Sequence, residues 1–260
     1  PFMLHHKVHL HADSSEWAVF IHGFGGSSNV WFKQVRDFKA HFNVLLIDLR
    51  SHGKSTIFPQ HKRYSFELIA KEVGEVIDHV NIKRAHFLGV SMGSIIIRQL
   101  AILKPSVVQS MIFAGAVTTL DFKSRFFLKL GRTLQPILPY MALYRLFANI
   151  MMPKKNHEES RSIFIQEAKK IMKKEFKRWF KLTGKLTKYL SYLHHENINE
   201  KALYIMGSED HLFIGPAIKV VENNPNLSIE IVEDCGHVVN IEKPEIFNRL
   251  AIDFIQKNKE

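Results

Sequence analysis

The sequence predicts an α/β domain with a mainly parallel sheet, interrupted once by an all-helical insertion. Three observations carry this. Short apolar runs alternate with helical patterns through most of the chain. The runs have the length and the Val, Ile, Leu and Phe content of strands buried on both faces. One long stretch, residues 121–190, has helical patterns and no strand, so the chain divides into a core (1–120 and 191–260) and an insertion. Charge marks the same boundary. The insertion holds 17 Lys and Arg against 5 Asp and Glu, and the rest holds 19 against 20, so the whole excess behind the net charge of +11 lies in it.

The expected strands are WAVFIHG (17–23), NVLLIDL (43–49), RAHFLG (84–89), SMIFAG (110–115), KALYIMG (201–207) and LSIEIV (227–232), with FMLHHKVHLH at the start as an antiparallel edge strand. Helices are expected at 29–40, 65–80, 91–103 and 244–257. Ser65 followed by Glu67, and Pro244 followed by Glu245, are polar and proline starts of the kind helices use. The insertion reads as three helical stretches. In the third, Asn156 caps and Glu159 stands three residues on, before Phe164, Ala168, Met172, Trp179, Leu182 and Leu186 recur at helical spacings. An insertion so placed is expected to cover one end of the sheet as a cap.

At 260 residues and 46 % apolar content the chain can bury a full core. Cys235 is its one cysteine, which excludes an intrachain disulfide. No apolar run reaches the roughly 18 residues of a membrane span, and the start lacks a basic region followed by an apolar core, so the expected location is cytoplasmic.

The stretch FLGVSMGSIII (87–97) raises the chemical question, because a serine sits between two glycines where a strand gives way to a helix. GVSMG fits G-x-S-x-G, a turn so tight that the residues two before and two after the serine crowd each other, which glycines at 89 and 93 relieve. Ser91 is thereby pushed out over the C-terminal edge of the sheet, where open α/β sheets bind ligands. A serine hydroxyl needs a base, and the base an orienting acid. His237 follows the last strand and Asp210 the strand before it; Glu209 and Asp234 are rival acids, placed less well at a strand end. HGFGG (22–26), at the end of another strand, can turn backbone N–H groups toward a substrate oxyanion, with Phe24 and Met92 as donors.

HGFGG at 22–26, DLRSHGKS at 48–55, GVSMGS at 89–94, GSEDH at 207–211 and CGHVVNIEKPEIF at 235–247 together resemble the α/β-hydrolase superfamily over nearly the whole chain outside the cap. The order Ser91, Asp210, His237 is that superfamily's order. The resemblance implies a sheet of about eight strands, no metal or organic cofactor, and a structural role for Asp48, Ser51, His52 and Ser55. Serine at the elbow argues against haloalkane dehalogenases and epoxide hydrolases. Val90, apolar where other relatives place a polar or aromatic residue, offers no hydrogen bond to a polar substrate and disfavours carbon–carbon hydrolases and the menaquinone-pathway synthase.

The insertion is rich in large apolar residues, some of which suit an acyl or aryl group; Val90, Phe127, Met141 and Tyr144 are the candidate pocket residues. KKIMKKEFKRWFK (169–181) sets seven basic residues beside Ile171, Met172, Phe176, Trp179 and Phe180. It reads as a solvated face first, then as a contact with anionic membrane, then as a lure for an anionic substrate. No nucleic-acid motif accompanies the charge. His5, His6, His9 and His11 lack a Cys or acidic partner at ligand spacing, so no metal is expected. The expected activity is hydrolysis of small or medium acyl esters through an acyl-enzyme on Ser91. Neighbouring readings are a monoacylglycerol lipase or a thioesterase, and the reading from another class is a ligand sensor with little turnover.

Overall fold

The computed structural model describes residues 3–56, 64–196 and 198–258. Its strands are β1 (His6–His9), β2 (Trp17–Ile21), β3 (Asn43–Ile47), β4 (Ala85–Val90), β5 (Val108–Ala114), β6 (Lys201–Gly207) and β7 (Leu227–Val232). They form one sheet in the order β1-β3-β2-β4-β5-β6-β7, parallel throughout except for β1, the antiparallel edge strand. Seven strands are present among the described residues, one short of the eight or so that the resemblance implied.

Outside the insertion the helices are α1 (Val35–Lys39), α2 (Phe66–His79) and α3 (Met92–Leu103) before it, then α9 (Ile214–Glu222), α10 (Val239–Glu242) and α11 (Pro244–Lys257) after it. Ser65 caps α2, its hydroxyl accepting from the Leu68 N–H at 3.1 Å, and Pro244 opens α11. α9 and α10 carry no start signal of that kind, and sequence periodicity missed both. The expected helix at 29–40 is a 3-10 turn, Ser28–Trp31, followed by the short α1.

Period-two alternation sends the strands' side chains into two cores. Val19, Ile21, Leu45, Phe87, Phe113 and Tyr204 face one way, against α2 and α3. Phe20, Leu46, Leu88, Val90, Ile112 and Ile205 face the other, where Trp31, Phe38 and Phe247 meet them. Phe20 packs edge-on against Trp31 and Phe38 at 5.1 and 5.0 Å, an arrangement worth about 0.5–1.5 kcal/mol per pair beyond burial.

Between β5 and β6 lie α4 (Phe122–Leu134), α5 (Tyr140–Met151), α6 (Glu158–Ala168), α7 (Lys173–Thr183) and α8 (Leu186–His195), with no strand among the described residues. The expectation of three helical stretches is corrected to five helices. The third stretch is three helices, broken at 169–172 and again at Gly184, and α6 starts after His157 rather than Asn156. Of the six regularly spaced residues, Phe164, Ala168, Trp179, Leu182 and Leu186 are buried and Met172 is exposed, so the spacing records burial at five positions rather than one continuous rod. The first break contains neither proline nor glycine to mark it, whereas Gly184, with Lys181 in the turn before it, marks the second. No described helix is long and apolar enough to cross a membrane.

Candidate active site

All the predicted reactive groups follow the C-terminal ends of parallel strands: Ser91 after β4, Asp210 after β6, His237 after β7, and HGFGG after β2. Ser91 has φ 53° and ψ −119°, a conformation non-glycine residues adopt only when their surroundings impose it. The imposition is visible. A Cβ on Gly89 would lie 2.9 Å from the Gly93 carbonyl carbon, and one on Gly93 would lie 2.4 Å from the Ile21 oxygen. The two glycines thus permit the turn, and the turn lifts the Ser91 side chain off the sheet.

There the Ser91 Oγ meets the His237 Nε2 at 2.9 Å, and the His237 Nδ1 meets the Asp210 Oδ2 at 2.7 Å. The carboxylate can only accept, so the Nδ1 carries the hydrogen and the Nε2 is left to accept from the serine hydroxyl. His237 and Asp210 are buried. Such a chain can draw the hydroxyl proton as the oxygen attacks. The rival acids are elsewhere. Glu209 accepts from Lys154, from Asn156 at 2.8 Å and from His157 at 2.7 Å, and these bonds, Lys154 first, hold its carboxyl down to about 2. Asp234 is exposed, and its carbonyl is the group engaged, by Asn156.

The HGFGG loop lies against the elbow: a Cβ on Gly23 would stand 3.1 Å from the Ser91 Cβ and 3.5 Å from the Met92 nitrogen. Among the described residues neither the Phe24 nor the Met92 N–H donates to a protein acceptor. Two buried histidines support the loop. His22 donates from Nδ1 to the Gly23 carbonyl and accepts from the Leu49 N–H; His52 donates from Nδ1 to the Arg50 carbonyl and accepts from the Gly25 N–H. Burial, helped by neighbouring His22, pushes His52 down to about 3, and burial lowers His22 as well. Asp48 accepts from the Ser28 and Lys54 N–H groups, and Ser55 donates to the Asp48 carbonyl. Ser51 bonds Tyr64 and donates to Glu175 of α7 at 3.1 Å, so this motif also ties down the insertion.

Three features escaped the sequence reading. Gly115, after β5, has φ +54°, and a Cβ there would stand 2.1 Å from the His237 carbonyl oxygen and 3.0 Å from its Nδ1. Ser94 donates from Oγ to the Ser91 carbonyl at 2.6 Å and accepts from the Val117 N–H. Glu242, a half-buried residue with its side chain almost covered, accepts from the Gly236 N–H at 2.6 Å and from the Ser160 hydroxyl at 2.8 Å, holding the backbone that presents His237 and joining it to α6. Each sat inside a quoted motif or at a strand end, but only three-dimensional proximity assigns its partner.

A cavity of about 140 Å³ opens onto Ser91 and His237 between the sheet end and the insertion. Its walls are mainly apolar, with Phe24, Met92, Phe127, Tyr144, Phe147 and Phe213 among them. Phe127 and Tyr144 were expected there; Val90 and Met141 are not part of the lining and are corrected. Val90, the last residue of β4, points by strand alternation into the core with Leu88 and Ile112. The substrate argument built on its apolar character therefore falls away. Met141 packs inside the insertion, beside Leu143 and Phe176.

In the basic run 169–181, Lys169, Lys170, Lys173, Lys174, Lys177 and Lys181 are exposed. Ile171, Phe176, Trp179 and Phe180 are buried, and the Trp179 N–H donates to the Arg50 carbonyl at 3.1 Å. Only Met172 of its five large apolar residues is exposed. The histidines at the N-terminus go to separate partners, His5 to Asp48, His6 to the Leu4 carbonyl and His11 to the Ala40 carbonyl. Burial, with Glu242 nearby, pushes the Cys235 thiol above its ordinary range.

Comparison with known proteins agrees with this architecture. The chain is 26 % identical over 264 residues to a Haemophilus influenzae protein provisionally named an esterase/lipase, covering 92 % of this chain and 83 % of that one. A hydrolase from Oleispira antarctica superposes with a TM-score of 0.85 at 19 % identity, covering 98 % and 95 % of the two chains. A thermophilic esterase from Thermogutta terrifontis, solved with malate bound, superposes with a TM-score of 0.80 at 17 % identity, covering 99 % and 94 %. Residues 18–244 match the family model described as the alpha/beta hydrolase fold. The chain belongs to the α/β-hydrolase fold family.

Proposed function

We propose that the protein is a serine-dependent carboxylic ester hydrolase acting on small or medium acyl chains. The observation that carries this reading is the bonded chain Ser91–His237–Asp210, at 2.9 and 2.7 Å, facing a mainly apolar cavity. In the proposed reaction the ester lies with its acyl group in that cavity. The Ser91 oxygen attacks the carbonyl carbon while His237 takes the hydroxyl proton. Asp210 holds the imidazole's orientation and stabilises its positive charge. The Phe24 and Met92 N–H groups receive the oxyanion. Collapse breaks the bond to the alcohol, which leaves with the proton from His237. A water molecule, deprotonated by the same ring, then releases the acid and regenerates the serine.

Helices α4 to α8 act in this reading as the cap that encloses the acyl group. A roof of Phe, Leu and Met side chains offers burial without hydrogen bonds, so acyl length should govern rate more than polar substituents do. A series of acyl esters graded by chain length tests this. Multiple turnovers with a maximum at short or medium chains are expected. Stabilisation by the ligand with no more than one turnover would make the protein a sensor instead.

A further inference from the structure

Ser124, Phe127 and Leu128 of α4 line the cavity, and the outer surface of the same helix carries exposed aromatic side chains among cations. The Phe127 ring meets that of Phe126 at 5.5 Å, edge-on, and Phe126 is 53 % exposed. One turn earlier on the same stripe, Phe122 is 81 % exposed. A lone exposed apolar side chain is ordinary, but two phenylalanines on one stripe, continuous with a cavity wall, are not explained by packing. The same helix exposes Lys123, Arg125, Lys129 and Arg132. Its one acidic neighbour, Asp121, is spent accepting from the Ser124 N–H and hydroxyl. On α7 the arrangement is reversed: cations point out and the aromatics point in.

We propose that this face of α4 docks on an anionic lipid surface, with Phe122 and Phe126 entering the headgroup layer. An ester held in that layer then passes Phe127 into the cavity. This deepens the ester-hydrolase reading and rests on it. The positive charge selects an anionic partner and disfavours a second copy of the same face, because two such faces would bring their cations together. A lipid layer also accounts for the aromatic cavity wall, since an acyl chain can be withdrawn from it without crossing water.

The test uses the full chain with vesicles of phosphatidylcholine alone and of phosphatidylcholine mixed with phosphatidylglycerol, at low and high salt. Wild type is expected to co-sediment with the anionic vesicles at low salt, and less at high salt or with neutral ones. A double variant, Phe122→Gln with Phe126→Gln, is expected to bind at least about tenfold less while hydrolysing a short soluble ester within about twofold of wild type. Changing Lys170, Lys173, Lys174 and Lys177 to Gln is expected to weaken binding less than the two-phenylalanine change. The proposal is overturned if wild type stays in the supernatant at low salt, or if the double variant binds as well as wild type. It is overturned equally if wild type without vesicles sediments as a dimer that the double variant dissociates, which would make a second copy the occupant. Failure of the hydrolase reading looks different: no soluble ester is cleaved, whatever the vesicles show.

Discussion

The end of the sheet and the helices above it were built under different constraints. At the sheet end, backbone geometry dictates residue type. The elbow needs Gly89 and Gly93 because a Cβ at either would collide with main chain, and the HGFGG loop must lie against it. Over the insertion, position is set by the burial of large side chains, and many apolar residues would serve. Phe24 shows the two regimes meeting. Its N–H belongs to the loop, while its ring stacks on Trp179 of α7 at 5.8 Å and 11°. The lesson is that reactive groups are fixed from below by the sheet, and the space they act in is fixed from above by packing.

The largest expected effect breaks the lower region. Asp210→Asn should reduce turnover about 10⁴-fold with little loss of stability, because the imidazole would lose its tautomer and its counter-charge. Glu209→Gln should leave turnover within severalfold, since that carboxylate faces Lys154, Asn156 and His157. Kinetics and urea unfolding of both variants check this, and the opposite ranking would exchange the roles of the two acids.

A smaller but sharper break is Gly115→Ala. The added methyl would meet the His237 carbonyl and the backbone has positive φ, so the ring should shift from Ser91. Turnover is expected to fall about 10²-fold, as misplacement by an ångström can cost. The comparable Gly215→Ala, where a Cβ meets nothing within 4 Å, should be silent. Thermal unfolding alongside kinetics separates misplacement from misfolding.

The smallest effect is read as a pH slope. His52 is held near 3 in the folded chain, by burial first and His22 second, whereas an unfolded histidine titrates near about 6.5. Between those values the unfolded chain binds the extra proton, so stability is intact above about 6.5 and declines as pH falls toward 3. Its slope can approach about 1.4 kcal/mol per pH unit for this one ring. Urea unfolding from pH 7.5 to 4.5 should show the decline, and His52→Asn should flatten it.

These contrasts also explain what could be read from sequence. The strands, Ser91, Asp210 and His237 were legible because each sits where a local rule operates: an apolar run, a glycine-flanked turn, a strand end. β6 and β7 fall at the expected residues, 201–207 and 227–232. Gly115 and Glu242 were not legible, because Gly115 meets His237 only through the sheet's crossovers and Glu242 meets Ser160 only where the insertion folds back onto the sheet end. Val90 was misread for a related reason: adjacency to Ser91 in sequence says nothing about which face of β4 the side chain takes. In the insertion, apolar periodicity reported burial well except at Met172, and helix length poorly, since it ran through the breaks at 169–172 and Gly184.

The central claim is that one serine, raised by the turn after β4 and backed by His237, is the nucleophile. Intact-mass measurement after treatment with a fluorophosphonate tests it most directly. The account predicts one adduct on wild type and none on Ser91→Ala, with labelling sharply slowed in a His237→Ala variant. Equal labelling of wild type and Ser91→Ala would contradict it.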